Sequence, residues 1–165
     1  RFLGDGTVHD DEIKSGLDWL HPRLGGSQTL AAYGVPEASE RAIADVLAEA
    51  RRAVPPAHLA FLNGLPLYHE TDDLLFVHAG IRPGLTLSQQ RENDLLWIRA
   101  AFLDHVERHP WTVVHGHTAL DYPQHHGNRV NLDGGAGYGR PIYPAVFEGT
   151  DCWLLNANGR AALTA

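Results

Sequence analysis

Two short apolar runs, each closed by histidine and glycine, constrain this chain more than any other feature. The first is Leu74-Leu-Phe-Val-His-Ala-Gly-Ile-Arg-Pro83, and the second is Trp111-Thr-Val-Val-His-Gly-His-Thr118. Four apolar residues are too few for a helix of their own, and the bounding Asp72-Asp73 and Gly80 mark a buried strand. Two buried strands that each end in histidine could set two imidazoles at one edge of a sheet. In open α/β sheets, ligands bind at the edge outside the carboxyl ends of the strands. A metal site there is the working expectation. Its bland counterpart is a pair of core histidines held by hydrogen bonds.

The elements around these runs point to an α/β (α+β) chain, with a helical region first and mainly strands after residue 74. Asp10 or Asp11 can cap a short helix through Leu20, with Ile13, Leu17 and Leu20 on one face. Pro22 and Gly25-Gly26 stop it, and residues 28–33 suit another short helix. From Pro36, the residues Ala38, Ala42, Ile43, Val46, Leu47 and Ala50 recur at helical spacing. Glu37 and Glu40 lie early and Arg51-Arg52 late, as the helix dipole favours. Pro55-Pro56 then suits the first turn of a further helix, in which Leu59, Phe61 and Leu62 are expected to pack before Gly64. Residues 95–99 lead into a helix over 100–108. Residues 121–128 read as a loop, and 129–133 as a strand running into Gly134-Gly135-Ala136-Gly137. Residues 143–147 and 152–155 flank Glu148-Gly149-Thr150-Asp151, a hairpin signal. The expectation is one domain over 1–165, with a helical layer at 1–66 and a sheet at 67–165.

Composition excludes several classes. A net charge of −7 and a pI near 5.8 argue against a phosphate-backbone footprint, so no nucleic-acid partner is expected. No apolar run reaches membrane-spanning length and no signal peptide opens the chain, so no membrane partner is expected either. Cys152 is the one cysteine, so no internal disulfide forms, and a cytoplasmic setting is expected. Methionine is absent, position 1 included, and the chain reads as a piece of a longer protein.

His78 and His117 lead the candidates, because neutral imidazole suits zinc, iron and manganese. His115 lies two residues from His117, hence on the same face if the strand continues. It is a ligand, a supporting group or simply packed. Arg99 could hold a phosphate by paired hydrogen bonds, with a surface salt bridge as the plain alternative. Arg82 is a similar, weaker case. Asp133 suits a ligand, an acceptor behind one, or a turn. His125-His126 reads as solvated loop. Gly4-Asp5-Gly6 resembles part of a phosphatase Asp motif, but no strand precedes it.

Four motifs in order sharpen this: Phe76-Val-His-Ala-Gly-Ile-Arg-Pro83, Asp94-Leu-Leu-Trp-Ile-Arg99, Val114-His-Gly-His-Thr118 and Asn131-Leu-Asp-Gly-Gly-Ala136. Together they resemble the calcineurin-like metallophosphoesterases, most of all the bacterial serine/threonine protein phosphatase type of the phosphoprotein phosphatase family. The resemblance covers about residues 59–147 and implies part of a β-sandwich flanked by helices. It also implies two divalent metal ions in the full enzyme: Mn²⁺, with Fe or Zn as alternatives. His78 and His117, rather than His115, would be metal ligands. Arg99 would bind the substrate phosphate, with Tyr138 at the edge of the pocket. The implied reaction is hydrolysis of phosphate monoesters on phosphoserine or phosphothreonine, in a phosphorylated protein or a small phosphoester, by in-line attack of metal-bound water.

The family's earlier motifs, of the types Gly-Asp-x-His-Gly, Gly-Asp-x-x-Asp-Arg-Gly and Gly-Asn-His-Glu/Asp, do not occur in these 165 residues. They carry the other ligands and the general acid. The chain is therefore expected to be the C-terminal two-thirds of such an enzyme and inactive alone. The rival enzyme is a dinucleoside polyphosphate (diadenosine tetraphosphate) hydrolase of the same superfamily. Rivals of another class are a non-catalytic module on a degenerate phosphatase fold and a plain α/β domain with structural histidines.

Overall fold

Helix α3 (Ile43–Ala53) organises the first of two units in this computed structural model, which describes residues 1–13 and 15–165. The units are Arg1–Leu65 and Pro66–Ala165. The first also contains α1 (Phe2–Asp5), α2 (Gly26–Ala32) and α4 (Pro56–Asn63). Val46 and Ala50, one turn apart on α3, are buried with Phe2, Leu20, Leu30, Val35 and Ala38. From the last turn of α3, Arg51 donates to the carbonyls of Leu3 and Gly4 in α1.

Three sequence expectations fail here for local reasons. The helix predicted from Pro36 begins only at Ile43, because Glu37 adopts a positive φ of 52°. Ala38 is fully buried all the same. The helix predicted up to Leu20 is replaced by turns, and one of its positions, Lys14, lies outside the described residues. Gly16 takes a φ of 69°, which stops helical propagation, and the Trp19 N–H donates to the Val8 carbonyl at 2.7 Å. Helix α4 does start at Pro56 but buries none of its residues. Phe61 is 67% and Leu62 59% exposed. Leu59 and Phe61 sit about 200° apart around the axis, so α4 has no single apolar stripe.

The second unit holds two sheets. Strands β1 (Tyr68–Glu70), β2 (Leu74–Val77), β3 (Thr112–His115), β4 (Gln124–His125) and β5 (Arg129–Asn131) form the first, in the order β1-β2-β3-β5-β4. Strands β2, β3 and β5 are parallel, and antiparallel β1 and β4 close the edges. Strands β6 (Ala145–Glu148), β7 (Asp151–Asn156) and β8 (Gly159–Leu163) form an antiparallel meander, with the predicted hairpin turn at Gly149. Helices α5 (Glu92–Trp97) and α6 (Ala100–Leu103) connect β2 to β3.

Side-chain alternation gives the first sheet two apolar faces. Leu75, Val77 and Val113 pack with Leu95, Ile98 and Phe102. Phe76, on the other face of β2, meets Phe147 of β6 edge-on at 5.8 Å. The result is a mixed α/β arrangement, helices on one side and a second sheet on the other. Among the described residues no helix is long and apolar enough to cross a membrane.

The helix predicted over 100–108 is cut short, and the residues leading into it form a separate helix, α5. In a continuous helix the Leu95 carbonyl would accept from Arg99, but it accepts the Ala79 N–H instead, at 2.9 Å. Arg99 departs to φ −131° and ψ −103°, and α6 ends at Leu103. Beyond it, His109 stacks on Phe102 with centroids 5.6 Å apart and on His105 at 4.9 Å.

This stack sets an acid sensitivity. Burial, with His105 and Arg129 nearby, holds the His109 imidazole below its ordinary 6.5. The unfolded chain therefore takes up this proton first, so the stabilisation is complete above pH 6.5 and is lost as pH falls toward the depressed folded value. The urea midpoint is expected to drop between pH 7.5 and 5. His109→Phe should show a smaller drop; an unchanged pH profile would remove His109 as a cause.

Candidate metal centre

The parallel register brings three strand ends to one edge. Phe76 pairs with Val114 and Val114 with Val130. The chain leaves β2 at His78, β3 through Gly116 and His117, and β5 toward Asp133. Backbone bonds extend the pairing: Gly116 N–H donates to the His78 carbonyl and Leu132 N–H to that of His115, both at 2.9 Å. Gly116 sits against β5's exit, where an added Cβ would lie 3.3 Å from that of Asp133.

At this edge His78 Nε2 and His117 Nδ1 are 3.2 Å apart. Trp97 closes edge-on against the His117 ring, centroids 5.5 Å apart. His117 has a φ of 65°, and Thr118 N–H donates to the Gly116 carbonyl at 2.7 Å, closing a γ-turn around it. A non-glycine residue in this region costs of order 1–3 kcal/mol and persists where its surroundings over-determine it. Arg99 Nη1 donates to Thr118 Oγ1 at 3.0 Å. Asn131 Nδ2 donates to the Thr118 carbonyl at 2.8 Å.

Burial foremost, then the Arg99 guanidinium and His78, lowers His117 to about 4. It is neutral at pH 7, the form that binds a metal. Two imidazole nitrogens held about 2.0–2.1 Å from one ion, at angles between octahedral and tetrahedral, lie about 2.8–3.4 Å apart. The observed 3.2 Å separation falls in this range and is equally that of a hydrogen bond between the two rings, which they make in the absence of an ion. Among the described residues, no three or more His, Cys, Asp or Glu side chains form a metal-holding group. His78 and His117 by themselves do not make such a group.

His115 behaves differently. Strand β3 ends at this residue, so the condition for sharing a face with His117 is not met. Its ring packs edge-on against Phe102 at 5.0 Å, Nδ1 lies 3.1 Å from the Gly116 carbonyl, and burial lowers it to about 4.

The other candidates are placed as follows. Arg99 is exposed at the break between α5 and α6. Tyr138 is 76% exposed in a turn after Gly135, with no bond to His78, His117 or Arg99 among the described residues. Arg82 is engaged by Asp94 through two bonds, 3.1 Å from Nε and 2.6 Å from Nη2, so a protein carboxylate occupies its fork. Asp133 forms a turn, accepting Gly135 N–H at 2.9 Å. His125 Nδ1 accepts Gly127 N–H at 3.0 Å, and its neighbour His126 is exposed. Buried Cys152 has its thiol pushed up by desolvation.

Trp97, Thr118 and Asn131 at this edge were not singled out from the sequence as site residues. All three lie inside the four motifs, but only the fold shows what they touch. A cavity of about 660 Å³ lies elsewhere in this unit, between the loop after β2 and the segment entering β3. It includes Leu87, His105, His109 and Trp111, but not His78, Arg99 or His117.

No protein-family model matches the chain, and no curated protein matches it. The crystal structure of a candidate diadenosine tetraphosphatase is similar to it with a TM-score of 0.49 and 19% identity, over 93% of this chain and 77% of that one.

Proposed function

We propose that this edge is part of a cytoplasmic metallophosphoesterase site that hydrolyses phosphate monoesters, with phosphoserine and phosphothreonine as substrates. The observation that carries the reading is the 3.2 Å approach of His78 Nε2 and His117 Nδ1, beside a loop that also holds Arg99. His78 and His117 would hold one metal ion. When bound, divalent ions such as Mn²⁺, Fe or Zn neutralise phosphoryl oxygens and lower the pKa of a bound water. The γ-turn and Trp97 keep the His117 ring in place, and burial keeps it neutral. The Arg99 guanidinium offers paired donors for two phosphoryl oxygens, and Tyr138 would stand at the rim. Hydrolysis also needs further ligands and a general acid, which the described residues do not assemble.

The test is a Zn²⁺ titration of isotopically labelled protein, read at the histidine ring nitrogens, followed by inorganic phosphate. The His78 and His117 signals are expected to move together, and the Arg99 side chain to respond to phosphate once metal is present. If neither ring responds at millimolar Zn²⁺, the metal reading is wrong. Binding of a phosphoserine peptide and of diadenosine tetraphosphate to the Mn²⁺-loaded chain would then be compared. Preference for the dinucleotide would replace the phosphoprotein substrate.

A further inference from the structure

We infer that Asn131 is a positioning residue: its carboxamide locks His117 into the left-handed conformation and, through Thr118, sets the Arg99 guanidinium. The functional consequence rests on the metal-site reading; the conformational one does not.

Asn131 is the last residue of β5 and 2% exposed. Its Oδ1 accepts Asp133 N–H at 2.9 Å and its Nδ2 donates to the Thr118 carbonyl at 2.8 Å. One partner can only donate and the other only accept, so the amide has a single orientation that satisfies both. The side chain thereby ties the exit of β5 to the residue after His117. The His117 turn is held by its own Gly116–Thr118 bond, by Gly116 N–H on the His78 carbonyl, by ring contacts with His78 and Trp97, and by Asn131. The Asn131 bond is the side-chain bond that ties the turn to β5. Thr118 receives it on its carbonyl and receives Arg99 on its hydroxyl. One buried amide therefore aligns a proposed ligand and a proposed phosphate contact. Alanine at this position leaves the Thr118 carbonyl and the Asp133 N–H without these partners.

The experiment compares wild type with Asn131→Ala by NMR, reading the His117 backbone conformation from its intraresidue amide–Hα contact and coupling, and Zn²⁺ affinity from the histidine ring shifts. The variant is expected to lose the left-handed signature at His117 and about 10–100-fold in Zn²⁺ affinity, the range for groups that orient a ligand. A folded variant that keeps the signature, with Zn²⁺ affinity within about twofold, overturns the inference. If alanine prevents folding, Asn131→Ser makes the same comparison, since a hydroxyl is too short to replace the Nδ2 bond. Wild type must also show scalar coupling across the Asn131–Thr118 hydrogen bond; its absence overturns the inference too. If wild type binds no Zn²⁺ at either histidine, the metal reading falls, while the His117 backbone comparison still decides the role of Asn131.

Discussion

Alanine at His117 is expected to weaken Zn²⁺ binding by at least about 100-fold, because loss of the proposed direct ligand should exceed the 10–100-fold cost of losing a group that merely orients one. Alanine at His115 is expected to leave Zn²⁺ affinity within about threefold and instead to cost about 3 kcal/mol of stability, as for other buried rings. The distinction rests on where the two rings go. His117 leaves the strand through a γ-turn and meets His78 at 3.2 Å. His115 is 4% exposed and packs on Phe102. Isothermal titration and urea unfolding of both variants check the pair of outcomes. If His115→Ala removes metal binding while His117→Ala keeps it, the ligand assignment is reversed.

Gly80→Ala is expected to destabilise the second unit by more than about 3 kcal/mol, enough to unfold a marginal domain. Gly80 has a φ of 148°, and a Cβ there would lie 2.3 Å from Cδ1 of Phe102 and 2.7 Å from its Cγ. Phe102 is fully buried and cannot retreat, since His109 and His115 pack on its ring and the Arg129 guanidinium lies 5.9 Å from its centroid. Phe102→Ala alone is expected to cost about 4 kcal/mol through the cavity it leaves. It also opens space for the new methyl, so Gly80→Ala should be far less damaging in that background, with a favourable coupling in the double-mutant cycle. Additive losses would mean that backbone strain at Gly80, not the ring, makes this position intolerant.

Much of the second unit was legible from local chemistry. The apolar quartet before His78, the β-branched run before His115 and the Glu148-Gly149-Thr150-Asp151 turn all form as read. In the first unit, the Val46–Ala50 stripe likewise marks a real helix. The short edge strands β1 and β4 carried too little apolar pattern to be seen, because edge pairing is made by backbone groups that any sequence possesses. Strand β8, in the weakly patterned tail, escaped for the same reason.

What the sequence determined by itself was the set of strands that end in histidine and the turns that follow them, since strand burial and glycine turns depend on neighbouring residues. The tertiary structure decided which histidine meets which. The break between α5 and α6 exists because Ala79, far back in the chain, takes the Leu95 carbonyl. Arg82 is occupied because Asp94 lies within its reach. His117 faces His78 because a γ-turn, tied by an amide from β5, swings it away from the direction of His115. Each of these turns on a hydrogen-bond partner distant in sequence, and such a partner is chosen only once the sheet has paired.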